Sequence, residues 1–190
     1  EALVVGDTRT GKSEAAKTLV RHYRAGEIVS CESATYAGII GGLQQYGGNK
    51  EWAITWGAVP INDRRLVVLD EISGLSPDEI AQMSDVRSRG VAQLTKIQQE
   101  ATHARTRLIW IGNPRDGQMG QFTYGAQAIK PLIGNPEDIA RFDLALSAAT
   151  GEVSADEINS LHEGGKQQYP SDLCSTLIRW VWSRKPEHVK

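Results

Sequence analysis

The string Gly6-Asp7-Thr8-Arg9-Thr10-Gly11-Lys12-Ser13 follows directly on the apolar run Ala2-Leu3-Val4-Val5, and few strings of this length restrict a fold so tightly. Its glycines let the backbone curl until several N–H groups point inward at an anion. A helix opening near Lys12 adds the positive end of its dipole at the same point. The arrangement predicts strand, phosphate-binding loop and helix in that order. Gly6, Asp7, Thr8, Arg9, Thr10, Gly11, Lys12 and Ser13 then form the candidate nucleotide cradle, with Lys12 reaching the outer phosphates and the Ser13 hydroxyl ligating Mg²⁺.

Beyond the loop, short apolar runs alternate with helical patterns, which argues for an α/β fold with a parallel sheet covered by helices. Residues 12–24 form the first helix, with Ala15, Leu19, Val20 and Tyr23 on its apolar side and Gly26 as its stop. Residues 27–30 are a second strand. Residues 33–43 look helical despite Gly38, Gly41 and Gly42. Residues 44–56 have two alternating arms around Gly47-Gly48-Asn49, a hairpin signal, and they sit as an insertion. Ser76-Pro77-Asp78-Glu79 opens a helix with a capping box. Partial alternation over residues 91–99 predicts a second hairpin with Lys96 near its tip.

The chain has 190 residues, enough for one sizeable domain or for a core domain and the start of a second. It carries 21 Lys and Arg against 23 Asp and Glu, a net charge of −2. No global field therefore favours nucleic acid, and any polyanion site must be local. Cys31 and Cys174 lie far apart with no C-x-x-C spacing, which fits reduced thiols rather than a disulfide framework or a zinc site. Neither is a catalytic candidate. No apolar stretch approaches the roughly 20 residues of a membrane helix, and no signal-like segment opens the chain, so the expected location is cytoplasmic or nucleoid-associated. The start at Glu1, shortly before the loop, predicts a piece of a longer protein with domains upstream.

A second chemical constellation lies at the end of the run Leu66-Val67-Val68-Leu69, where Asp70-Glu71 follows. An isolated acidic strand end ordinarily just faces solvent. With a phosphate loop upstream, Asp70 can reach the hydration shell of Mg²⁺ and Glu71 can orient a water for attack on a γ-phosphate. The strand Leu108-Ile109-Trp110-Ile111 delivers Gly112-Asn113-Pro114, and an amide there can help hold the water or the phosphate. Arg87, Arg89, Lys96, His103, Arg105 and Arg107 form the only basic concentration, opposed by Glu100 alone. A solvated charged face explains them as readily as a nucleic-acid contact. Arg141 falls between a short helix and a fifth strand, where pairing with a nearby carboxylate is its plain role.

In this order the motifs resemble the AAA+ ATPase core of minichromosome maintenance (MCM) helicases. Val5-Gly6-Asp7 through Gly11-Lys12-Ser13 resembles that family's Walker A, and Leu69-Asp70-Glu71-Ile72 its Walker B. Trp52-Ala53-Ile54-Thr55-Trp56-Gly57-Ala58-Val59 resembles the segment that closes its helix-2 insert. Ala104-Arg105-Thr106-Arg107 followed by Gly112-Asn113-Pro114 resembles the approach to sensor 1, and Ala140-Arg141-Phe142-Asp143-Leu144 resembles its S-R-F-D-L. The chain departs from the usual Walker A at Thr8 and Arg9, where the family carries Pro and Gly, so the loop is strained at Arg9 or gains a phosphate contact there.

The resemblance implies a P-loop NTPase with a five-stranded parallel sheet in the order 5-1-4-3-2, hairpin inserts, an AAA+ core over residues 1–150 and the beginning of a helical lid over 151–190. It implies ATP and Mg²⁺ as cofactors. Lys12, Asp70, Glu71, Asn113 and Arg141 are the implied catalytic set, Ser13 and Asp70 the metal-side residues, Arg141 an arginine finger acting in trans and Lys96 the hairpin lysine on DNA. The implied partners are single- or double-stranded DNA and further copies of the chain, in a hexameric ring. Two other readings stay open: an AAA+ remodelling ATPase acting on a protein partner, and a non-catalytic, nucleotide-dependent assembly module.

Overall fold

A computed structural model describes residues 1–46, 51–95, 99–115, 117–151, 154, 156 and 169–188. In chain order the elements are β1 (Ala2–Gly6), α1 (Lys12–Tyr23), β2 (Glu27–Ser30), α2 (Tyr36–Ile39), β3 (Gly41–Tyr46), β4 (Glu51–Trp56), α3 (Ala58–Ile61) and β5 (Leu66–Asp70). There follow α4 (Pro77–Gln82), α5 (Ser84–Arg89), β6 (Val91–Thr95), β7 (Gln99–His103), β8 (Arg107–Gly112), α6 (Ile129–Ile133), α7 (Pro136–Ile139), β9 (Leu144–Ala148) and a C-terminal helix, Ser171–Ser183.

Five strands form one sheet in the order β2-β5-β8-β1-β9, with every neighbouring pair parallel. Numbered among themselves along the chain, these strands read 5-1-4-3-2 across the sheet. Parallel strands need cover on both faces, and the side-chain alternation supplies two apolar surfaces. Leu3, Val5, Val67, Leu69, Leu108 and Trp110 point to one face and pack with Ile72, Ile80, Met83, Leu132 and Ile133. Val68 and Ile111 point to the other, under Ala16 and Val20 of α1. Because all five strands run the same way, their C-terminal ends share one edge, and the loop after β1 and the acids after β5 arrive there together.

Where the sequence signal is local, structure and expectation agree. Ser76 Oγ accepts from the Glu79 amide at 3.2 Å and the Glu79 carboxylate accepts from the Ser76 amide at 2.9 Å, which closes the capping box at α4. Three details differ. On α1, Ala16 is buried and Ala15 exposed, so the covered stripe is rotated by one residue from the expected one. That helix ends on Arg24, at φ 50°, before Gly26 is reached. Residues 33–43 are not one helix: α2 spans only Tyr36–Ile39, and the insert hairpin begins at Gly41, paired with Trp56. The glycines serve the close approach of hairpin to helix, since a Cβ at Gly42 would stand 2.9 Å from the Ala37 Cβ and one at Gly57 would stand 2.6 Å from the Gly38 carbonyl oxygen.

The second hairpin pairs β6 with β7 antiparallel. Lys96, expected near its tip, lies outside the described residues, as does most of the expected second capping box at residues 154–157. The C-terminal helix packs on α1, with Ser175 buried, Ser171 Oγ donating to the His22 carbonyl and Arg24 paired to Asp172 at 2.5 Å. Among the described residues no helix is long and apolar enough to cross a membrane.

Candidate active site

The loop between β1 and α1 is shaped by positive backbone angles. Gly11 takes φ 81° as the residue capping α1 and Arg9 takes φ 63°, a left-handed conformation that a side-chain-bearing residue adopts at some cost. The strain expected at Arg9 is therefore present in the backbone. Gly6 is needed for a different reason: a Cβ there would lie 2.4 Å from the Ala148 carbonyl oxygen of β9. Lys12 folds its ammonium back over the loop, donating to the carbonyls of Gly6 at 3.0 Å and of Asp7, and to Thr10 Oγ1 at 3.1 Å. Burial holds the Lys12 pKa below the ordinary lysine value, against the opposing pull of Asp7 and Asp70. Its charge is thus poised within the loop, among acceptors that an incoming phosphate would replace.

Across the cleft, Ser13 Oγ donates to Asp70 Oδ1 at 3.1 Å, and the same oxygen accepts from the Glu71 amide at 3.0 Å. Glu71 sits at φ 58°, and its carboxylate accepts from Ser30 Oγ at 2.7 Å. The left-handed turn at Glu71 swings that carboxylate out of line with β5, over the end of β2. A cleft of about 360 Å³ is lined by Thr8 to Glu14, Lys17, Asp70, Glu71 and Ile111 to Asn113. It gathers most of the expected cradle with both acids and the amide. Arg141 is not among its lining residues.

Asp7 plays a different part from the rest of the cradle. Its amide donates to the Ala148 carbonyl at 3.1 Å, and its carboxylate accepts from the amides of Met119 at 2.7 Å and Thr150 at 2.9 Å. These two hydrogen bonds hold the Asp7 carboxyl below the usual carboxylate range. Asp7 therefore ties the loop to β9 and to the chain after β8, and it offers a nucleotide neither its amide nor its carboxylate.

Sequence reasoning missed Arg115. Its guanidinium donates to the carbonyls of Ser73 at 2.8 Å, Leu132 at 3.3 Å and Leu75, stitching the turn after Glu71 to the end of α6 beside Asn113. No spacing in the sequence points to it; three carbonyls from two distant segments define its place. Cys31 is inert: burial, Asp70 and Glu71 push its thiol up to about 12.

The basic concentration before β8 proves largely structural. The Arg87 side chain is fully buried, with its guanidinium 2.9 Å from Glu1 and 3.3 Å from Asp138 and lying over the rings of Trp110 and Phe142. Arg89 pairs with Asp85, Arg105 forms a two-point contact with Asp63, and Arg107 lies over the Trp182 ring. Arg141 donates to the Glu137 carbonyl at 2.8 Å and to Ser84 Oγ at 2.7 Å, with its side chain one-quarter exposed.

The donor set on the cleft fits Mg²⁺. A hydroxyl and a carboxylate 3.1 Å apart are hard oxygen donors, and this ion binds through one or two such groups completed by phosphate oxygens and water. Among the described residues no group of three His, Cys, Asp or Glu side chains forms an all-protein metal cage. Ser13 and Asp70 are the residues that would hold the ion.

A comparison with protein families matches residues 1–158 to the MCM P-loop domain. The chain belongs to that family. The match spans the whole sheet of this MCM P-loop domain, from β1 through β9, and stops before the C-terminal helix. The chain is also similar to the minichromosome maintenance protein MCM of Saccharolobus solfataricus, 25% identical over 194 aligned residues that include 96% of the chain. It spans 27% of that relative's length. An MCM P-loop domain is a P-loop ATPase core.

Proposed function

We propose that this MCM P-loop domain is the ATP-hydrolysing core of a DNA-translocating motor whose sites are shared between subunits of a ring. The observation that carries the reading is the approach of Ser13 to Asp70 at 3.1 Å, with Glu71 and Asn113 on the same cleft. Lys12 and the loop amides bind the phosphates, and Ser13 and Asp70 would hold Mg²⁺, which would supply neutralisation of the phosphate charge. Glu71 orients the attacking water and takes its proton, and Asn113 fixes the γ-phosphate. Glu71 must first leave Ser30, so the Ser30 contact describes a resting position.

Arg141 lies outside its own cleft, held by Ser84 of α5, the Glu137 carbonyl of α7 and the Asp138 carboxylate at 3.8 Å, with its side chain one-quarter exposed. A cation in that position suits completion of a neighbour's site, so the isolated chain binds ATP yet hydrolyses it slowly. Lys96, at the tip of the second hairpin, contacts DNA in this reading. The copies assemble as a hexameric ring, with residues 1–150 as the core and 151–190 as the start of the lid.

The test is the ATPase rate per chain against protein concentration, with and without single-stranded DNA. A steep rise with concentration and further stimulation by DNA are expected. A rate independent of concentration removes the shared site, and stimulation by a polypeptide instead of DNA replaces the motor with a remodelling ATPase.

A further inference from the structure

At the end of the sheet opposite the nucleotide cleft, four arginines stand where three neighbouring parallel strands begin. Arg24 shortly precedes β2, Arg64-Arg65 immediately precede β5, and Arg107 opens β8. The pairings β2 with β5 and β5 with β8 set these starts side by side, with Leu66 in register with Arg107. The C-terminal helix adds Arg179 and Trp182 from above. A cleft of about 360 Å³ lies between them, lined by Arg24, Arg64, Arg65, Arg179 and Trp182, and Arg107 lies 4.3 Å over the Trp182 ring.

The nearby acids neutralise only part of this group. Asp172 is paired with Arg24 at 2.5 Å, and Asp63 is taken by Arg105 at 2.6 Å. Among the described residues, Arg64, Arg65, Arg107 and Arg179 form no ion pair. Burial and the neighbouring Arg64 charge hold the Arg107 pKa below the ordinary arginine value. Arg64 also keeps a left-handed backbone, φ 61°, at the mouth of the cleft. A chain of net charge −2 thus gathers five arginines at one place and leaves most of them uncompensated. Like-charge repulsion maintained at one place points to an anion that relieves it.

We propose that this arginine cleft is a nucleic-acid contact that takes consecutive backbone phosphates of a strand. Guanidinium forks match phosphate oxygens two at a time, and arginines interleaved with an aromatic ring are the composition of a sequence-tolerant strand groove. Five-residue strands rise about 3.3 Å per residue, which puts roughly 17 Å between this cleft and the cleft at the other end of the sheet. The site is distinct from the Lys96 contact and holds for this protein whether or not hydrolysis drives movement.

Anisotropy of a fluorescein-labelled single-stranded DNA, titrated with the full 190-residue chain at several salt concentrations, tests it. The double variant Arg64→Ser, Arg65→Ser is expected to bind at least ~10-fold more weakly at low salt, with the slope of log K against log salt shallower by about 1.4, or ~0.7 for each phosphate no longer neutralised. Arg179→Ser, on an exposed helix face, is expected to lower that slope by about 0.7. Lys96→Ala weakens binding separately, so loss there alone, with both arginine variants unchanged in affinity and slope, overturns the cleft while leaving the motor reading intact. Binding of a fluorescent ATP analogue reports folding and is expected to be unchanged in the arginine variants. Poly-glutamate or inorganic phosphate displacing the DNA at equal charge assigns the cleft to an acidic protein or to free phosphate and overturns the proposal.

Discussion

Ser13 Oγ donates to Asp70 Oδ1 across 3.1 Å, joining the loop after β1 to the tip of β5 through side chains 57 residues apart. Here the two oxygens satisfy each other; in the function proposed above both would hold the ion. Asp70→Asn keeps the shape of the tip and removes the charge. The expected outcome is that affinity for ATP in the presence of Mg²⁺ falls at least ~10-fold, while affinity measured in EDTA changes by less than about twofold, because the interaction removed belongs to the ion. Calorimetric titration in both buffers checks it, and equal Mg²⁺ dependence in both proteins refutes a metal role for Asp70.

Arg9 separates backbone strain from side-chain charge. At φ 63° a glycine relieves the left-handed conformation and an alanine does not. Arg9→Gly is therefore expected to be more stable than Arg9→Ala by about 1 kcal/mol in urea unfolding. Both remove the same cation from the cleft, so both bind ATP equally weakly relative to the parent. A difference in affinity between them assigns the effect to loop shape.

What the sequence makes legible here is whatever is encoded locally. The strand–loop–helix start, the acids after an apolar strand and the Ser76 to Glu79 capping box all act within a few residues. The onset of the insert hairpin escaped, because Gly41 and Gly42 read as helix interruptions until α2 and Gly57 are seen pressed against the same strands. Partners far along the chain escaped entirely. Asp7 looks like one more member of the loop, yet Met119 and Thr150, 112 and 143 residues away, take its carboxylate. Charge alone also misleads: Arg87 and Arg105 count as basic in the sequence, and only the fold shows Asp138 and Asp63 waiting for them.

Asp7 makes a pH-dependent contribution to stability. Its folded pKa lies below the unfolded value of about 3.9, so the stabilisation is complete above that value and is lost as pH falls through the folded pKa. Asp7→Asn replaces an acceptor of two amide hydrogens with a group that turns a donor towards one of them, and is expected to cost about 2 kcal/mol at neutral pH. Urea unfolding at neutral pH and below about pH 4 checks it: the gap between parent and variant should narrow on acidification. A constant gap assigns the loss to packing.

Arg87 and Arg89 sit on one short helix and behave oppositely. Removing Arg87 takes from buried Asp138, 4% exposed, the nearer of its two cations, with Arg141 left at 3.8 Å, strips Glu1 of its guanidinium partner and takes a cation from the faces of Trp110 and Phe142. Arg87→Ala is expected to lose about 3–5 kcal/mol. The Arg89–Asp85 pair is solvent-exposed at helical spacing, so Arg89→Ala is expected to change stability by less than about 0.5 kcal/mol. Denaturant midpoints with matched m-values decide between them, and equal losses contradict the buried pair.

Arg141 carries the proposal that sites are shared, and mixing experiments test it without a structure of the ring. Its guanidinium is fixed by Glu137 and Ser84 at 2.8 and 2.7 Å, so replacement leaves the chain's own cleft intact. Arg141→Ala should bind ATP as the parent does and lose about a thousandfold in turnover, the usual worth of an arginine finger. Lys12→Ala should fail because its own loop no longer holds the phosphates. Mixed together, the two inactive proteins can form pairs in which an intact Arg141 faces an intact Lys12 site. Recovery of turnover on mixing is the expected result, rising with total concentration. If the mixture stays as inactive as its components while light scattering shows that the two assemble, Arg141 does not act across an interface, and its contacts with Ser84, Glu137 and the Asp138 carboxylate are its whole role.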